Sequence, residues 1–247
     1  MASLITSLNT TEIAELTTTA VAALTSTDMD AFASTQVNAL TTTQIVVLSS
    51  TQISYWVATQ IDGLSTTDIG VLLSTQVKSL SSTQLLALTT TQLGGFTSAE
   101  LGELTTTQIT SLTSTVLGAL STTQLGGLTS TDVAVLKTTA LGGLTSTDLA
   151  VLTTTQVAGL TTAQVGVFSA TQFASLSTTV IAGLASTQLA ALTSTEISSL
   201  TSTQINFLTT TEIYAIGAAD CTAFTSTQLG YMSGAQISAC FGTLSGG

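Results

Sequence analysis

The chain is predicted to fold as an all-α solenoid in which each eight-residue repeat builds one very short, capped helix. Three observations lead there. An apolar residue stands at every eighth position, from Leu8, Leu16, Leu24, Phe32, Leu40, Leu48, Trp56 and Leu64 to Leu208, Ile216, Phe224, Met232 and Cys240, with no insertion or deletion. A second apolar series, offset by five, runs from Ile5, Ile13, Val21, Met29 and Val37 to Ile213, Cys221, Leu229 and Ile237. Between them lies a Thr/Ser cluster ending in Gln, so the consensus reads L[TS][TS]TQ[ILV]xxL, with x mostly Ala, Gly, Ser or Val.

A single long helix does not fit this spacing. At about 100° per residue, eight residues carry the apolar position roughly 80° past two full turns, so the Leu series would spiral around the axis. An unbroken strand fails as well, because an offset of five has odd parity and puts the two series on opposite faces. The chain must therefore change direction within every octad.

The Thr/Ser cluster marks the break as a helix start. In a sequence such as TSTQL the first Thr or Ser is placed to act as N-cap, and the Gln three residues on can reach back to the cap's own amide. The Leu before the cap and the Ile or Leu after the Gln then occupy the hydrophobic-staple positions. Acid placement fixes the phase. Glu12, Asp28, Asp68, Glu100, Asp132, Asp148, Glu196, Glu212 and Asp220, nine of the thirteen acids, replace that Gln, in the first turn where a helix dipole favours negative charge. Helices of about six residues are unstable alone, so neighbouring coils must stack on one another. Small residues before each Leu, as in LGGL at Leu125 to Leu128 and Leu141 to Leu144, suit close approach. The alternative is a β-solenoid in which TST runs form short strands and Thr and Gln stack in ladders. Ala at the x positions and acids at the cap favour helices.

No composition shift or linker divides the chain, so residues 1–247 are expected to form one repeat domain whose C-terminal octads diverge from about residue 214. Lys78 and Lys137 are the only basic residues, and the net charge is −11. Phosphate neutralisation is thereby out of reach, which argues against nucleic acid as a partner. No apolar run approaches the length of a membrane span, so no membrane insertion is expected. The opening MASLITSLNTTEIAEL has no basic stretch followed by a long apolar one, and a cleavable signal is not visible.

Catalytic chemistry is sparse. With no His and no Arg, the usual general bases and oxyanion clamps are missing, and no enzyme activity, catalytic residue, metal ligand or cofactor is expected. The close pairs Glu12 with Glu15, Asp28 with Asp30 and Glu100 with Glu103 are read as capping and solvated surface. Asn9-Thr10-Thr11 matches a glycosylation sequon. Cys221 and Cys240 fall in the two core series and are either small buried hydrophobes or a disulfide locking the last coils. Tyr55, Phe207, Tyr214 and Tyr231 replace small residues and Val57 and Leu73 stand at cap positions; local repacking is expected around all six, with a contact site as the alternative.

The repeat, as in LTTTQIVVL (Leu40 to Leu48) and LTSTQINFL (Leu200 to Leu208), resembles Thr/Ser-rich short-repeat segments of bacterial secreted fibres, adhesins and surface layers. That resemblance implies an extracellular or cell-surface structural protein. The ends carry few charges, so Leu4, Ile5, Leu8, Leu229, Tyr231, Ile237 and Phe241 are candidate assembly contacts for a second copy, in a head-to-tail filament. A regular Thr surface for ice or cell-surface polysaccharide is the competing reading.

Overall fold

In the computed structural model, which describes residues 3–242, the predicted all-α solenoid is present: twenty-eight α-helices of four to eight residues and two 3-10 segments, Ile5–Ser7 and Asp220–Ala223. No strand occurs among the described residues, so the β-solenoid alternative is ruled out.

One octad shows why this sequence makes this element. Thr41 is extended (φ −78°, ψ 156°), its hydroxyl accepts from the Gln44 amide at 3.3 Å, and the Gln44 side chain accepts from the Thr41 amide at 2.7 Å. The helix Thr42–Val47 follows and stops at Leu48, again extended (φ −63°, ψ 133°), whose successor Ser49 caps the next helix. Two extended residues between helices turn the chain without a loop. The break recurs because the staple Leu and the cap recur.

Within each of the chain's two compact units, helices pack onto the element three ahead, as Thr10–Glu15 does onto Ser34–Asn38 and Thr18–Ala22 onto Thr42–Val47 in the first, and Ser130–Val135 onto Thr154–Gly159 and Thr210–Ile216 onto Gly234–Phe241 in the second. One superhelical turn therefore holds three octads. Both apolar series point inward, and from Phe32 to Phe224 the Leu-series residues are buried. Leu8, Leu16 and Leu24, in the first turn, are only half-buried. Close stacking at the Gly-Gly octads is literal. A Cβ on Gly127 would fall on the carbonyl oxygen of Ser98, and one on Gly143 on that of Ser114.

Two compact units divide the chain, one comprising Met1–Leu112 with Ala119–Gly127, the other Thr113–Gly118 with Leu128–Gly247. The first has Glu12, Ala20 and Asp28 in place of Gln in three successive octads, and the second has Asp132, Ala140 and Asp148. In the second unit Cys221 and Cys240 form a disulfide with their Cα atoms 5.7 Å apart.

The divergent aromatics and cap residues depart from expectation. Tyr55, Val57, Leu73, Phe207, Tyr214 and Tyr231 are exposed rather than repacked into the interior. Their octad positions face outward, and the core beneath them is already filled by the Leu and Ile series.

Candidate functional site

The recurring constellation in this molecule is the corner where one helix ends and the next begins. Each corner Gln works in two directions at once. Its Oε1 accepts from the N-cap amide of its own octad, and its Nε2 donates to two carbonyl oxygens on the turn beneath. Gln76 accepts from the Leu73 amide at 2.7 Å and donates to the carbonyls of Ile45 and Leu48, both at 2.8 Å. Gln188 accepts from Ala185 at 2.8 Å and donates to Val157 and Leu160 at 2.8 and 2.7 Å. Gln228 and Gln236 repeat the pattern on Ile197 and Leu200, and on Ile205 and Leu208.

Of the two accepting carbonyls, the one in the Ile series already takes the C-cap amide of its own octad, as Ile45 does from Leu48 at 3.2 Å, and the other belongs to the C-cap residue itself, just past the helix end. A corner Gln thus satisfies an orphan donor above and fills the remaining acceptor capacity of the turn below, inside a dry stack where unpaired polar groups are costly. At positions such as Gln44, Gln76 and Gln204 the side chain is almost completely buried. Only the capping half of this arrangement was legible in the sequence. The bridging half had one signal: Gln and Glu serve a capping box equally, and the dipole favours Glu, yet sixteen octads carry Gln and nine carry an acid. Unlike an ionised carboxylate, an amide offers a donor as well as an acceptor.

All of the corner acids but Asp220, which opens a 3-10 segment without a side-chain cap bond, keep the cap. Asp68 accepts from the Ser65 amide at 2.9 Å and its hydroxyl at 2.6 Å, and Asp148 accepts from Thr145 in the same way. Being one methylene shorter than Gln and without a donor, Asp cannot bridge to the turn below. Asp28 is further held by the Ser3 hydroxyl at 2.8 Å. The Thr25 hydroxyl first, then the Thr25 amide and Ser3, hold its carboxyl below the usual range. Glu196 behaves oppositely: burial raises its carboxyl against the opposing hydrogen bonds from Thr193.

The other candidates fall as follows. Glu12 and Glu100 are capping-box acids, while Glu103 pairs with Lys78. Among the described residues no three acids or cysteines gather in a way that could hold a metal ion. Asn9 accepts from the amides of Thr11 and Glu12 at 2.9 and 3.0 Å, so its side-chain oxygen is an N-cap. Of the proposed assembly residues, Leu4, Tyr231 and Phe241 are exposed, and Leu8, Leu229 and Ile237 are half-buried. Ile5 is a correction: it is fully buried, because it belongs to the inward Ile series, and it offers no surface to a partner.

Two kinds of hydroxyl are separated by the fold. N-cap residues such as Thr41, Thr153 and Thr201 spend theirs on the helix start. The residue before the corner Gln or its replacement, including Thr35, Thr59, Thr83, Thr155 and Thr203, is exposed in every octad from Thr11 to Thr227, though it is Ala at 99, 163 and 219. Open grooves run between stacked helices. One of about 730 Å³ is lined by Thr10, Thr11, Ser34, Thr35, Asn38 and their small neighbours.

Comparison with known proteins agrees with a repeat architecture. Among curated proteins none matches the chain as a relative. A family model described as the ALTTAQ repeat matches residues 21–55 and 141–178. Its motif is read almost letter for letter in ALTTTQ at residues 39–44 and GLTTAQ at residues 159–164. The two matches begin a whole number of octads apart, and in both the Gln of the motif is a buried corner bridge. The chain is therefore a helical repeat protein, with the ALTTAQ repeat recognisable in two stretches.

Proposed function

We propose that the chain is a non-enzymatic, extracellular structural protein that self-associates head to tail through the end turns of its repeat stack. The observation that carries this reading is the corner ladder. The polar residues the sequence repeats most faithfully are spent on holding turn to turn, as expected of a scaffold. The Cys221–Cys240 disulfide suits an oxidising compartment outside the cell. Leu4, Tyr231 and Phe241 supply exposed apolar surface in the first and last described turns. Glu12, Ala20 and Asp28 bring no side-chain amide, so contact at the first turn rests on apolar burial rather than on bridging.

Electron microscopy with light scattering of the purified chain, beside the Leu229→Glu/Ile237→Glu double variant, tests the proposal. Filaments in the parent and monomers in the variant are expected. A parent that stays monomeric at high concentration defeats it.

A second reading has its own support, because in most octads the second helical residue is an exposed threonine, Thr35, Thr59 and Thr83 among them. Such a surface would bind an ordered target such as ice or a cell-surface polysaccharide. Inhibition of ice recrystallisation or glycan binding by the monomer, lost in a Thr35→Val/Thr59→Val/Thr83→Val variant, would favour it over assembly.

A further inference from the structure

Among the described residues one buried carboxyl breaks the corner rule in an informative way. Glu196 is fully buried and stands where other octads have Gln, with the length of Gln. One oxygen, Oε2, takes the capping role, accepting from the Thr193 amide at 2.7 Å and its hydroxyl at 2.9 Å. The other, Oε1, is buried and has no hydrogen-bond partner. In the equivalent corners this second position is the Nε2 of Gln188 or Gln228, within 2.9 Å of two carbonyl oxygens on the turn beneath. For Glu196 the corresponding acceptors are the carbonyls of Val165 and Phe168.

An ionised Oε1 there would face acceptors only, in a site closed to water. A protonated one would have what Gln has, a donor aimed at the turn below. We propose that Glu196 keeps its proton in the folded chain and bridges to the Val165–Phe168 corner as a protonated stand-in for glutamine, so that this stretch of the stack is tightened by acid and loosened by base.

The surroundings leave the proton few competitors. The helix Ser194–Ser199 packs against Ala170–Ala174 and the 3-10 segment Asp220–Ala223, and is flanked by Ser186–Leu189 and Ser202–Phe207. Asp220 is the one titratable side chain on those elements; it is exposed and negative, and no cation stands among them. Desolvation favours the neutral form, in agreement with the raised carboxyl. The other corner glutamates differ: Glu212 is only half-buried, and Glu100 retains some exposure. Because the folded-state value is raised, the stability Glu196 contributes is complete below its unfolded value and is lost as pH rises through the folded one.

The test is urea unfolding of the full chain and of Glu196→Gln from pH 4 to 8. Glu196→Gln should be the more stable protein at neutral pH, and the ratio of the two folding constants should shrink on acidification by up to about tenfold per pH unit. The remaining acids are common to both proteins and cancel in that ratio. A ratio independent of pH overturns the proposal. Carboxyl carbon NMR of the parent gives a second reading that needs no variant. Glu196 should titrate above the ordinary glutamate value of about 4.3, and titration at that value would overturn the proposal as well.

Discussion

A single atom type decides what a corner can do. Replacing Gln by Glu retains the capping acceptor and leaves a bridging donor only while the carboxyl holds a proton, so it isolates the bond between turns from the bond within an octad. Gln76→Glu should therefore destabilise the chain by about 1–3 kcal/mol at neutral pH, the cost of leaving buried polar groups unpaired, and urea unfolding should show it recover in acid. Asp28 titrates with the opposite sign to Glu196. Hydrogen bonds to its charged form depress it, so its contribution is present above its unfolded value, near 3.9, and is lost as pH falls through the folded one. Asp28→Asn should lower stability at neutral pH while changing little in strong acid. A pH series of unfolding midpoints that runs parallel for the two proteins would contradict this. The two residues occupy the same place in their octads, yet burial inverts their response.

Helices this short stand or fall by their ends. Thr41 spends its hydroxyl on the Gln44 amide, whereas exposed Thr43 bonds only to Thr41. Thr41→Ala should cost about 1 kcal/mol, and Thr43→Ala much less, a difference that thermal unfolding can read directly. The reverse change is available at Leu73. It is an exposed N-cap with no side-chain cap bond, although Gln76 still accepts from its amide. Leu73→Ser should stabilise the chain by about 0.5–1 kcal/mol and reduce its apolar surface. Equal stability in parent and Leu73→Ser would mean that the Gln half of the box alone sets the helix start.

For the molecule as a whole, the repeat supplies a stack with little internal distinction, and the exceptions localise its properties. The disulfide lies in the last described octads of the second unit, linking positions 19 residues apart in sequence. Reduction should lower stability by about 3 kcal/mol, and hydrogen exchange should place the loss in residues 213–242 rather than uniformly. Uniform loosening would show that the end coils unfold together with the remainder of the unit.

Reading the sequence alone was enough for the octad, the helix start and the inward series, since each depends on residues a few places apart. Eight residues against a 3.6-residue period force a turn, Thr41 and Gln44 close a box within one octad, and Leu48 and Ile45 share an interior. What lay beyond it were relations between turns. Nothing local says that Gln76 meets the carbonyls of Ile45 and Leu48, that Gly127 must be bare because Ser98 lies against it, or that Ile5 is covered while Leu4 is not. The number of octads per turn sets those pairs, and it emerges from how short helices pack rather than from any one repeat. The chain therefore wrote its corners in sequence, and the tertiary stack decided what each corner touches, because a hydrogen bond between turns depends on the register between them.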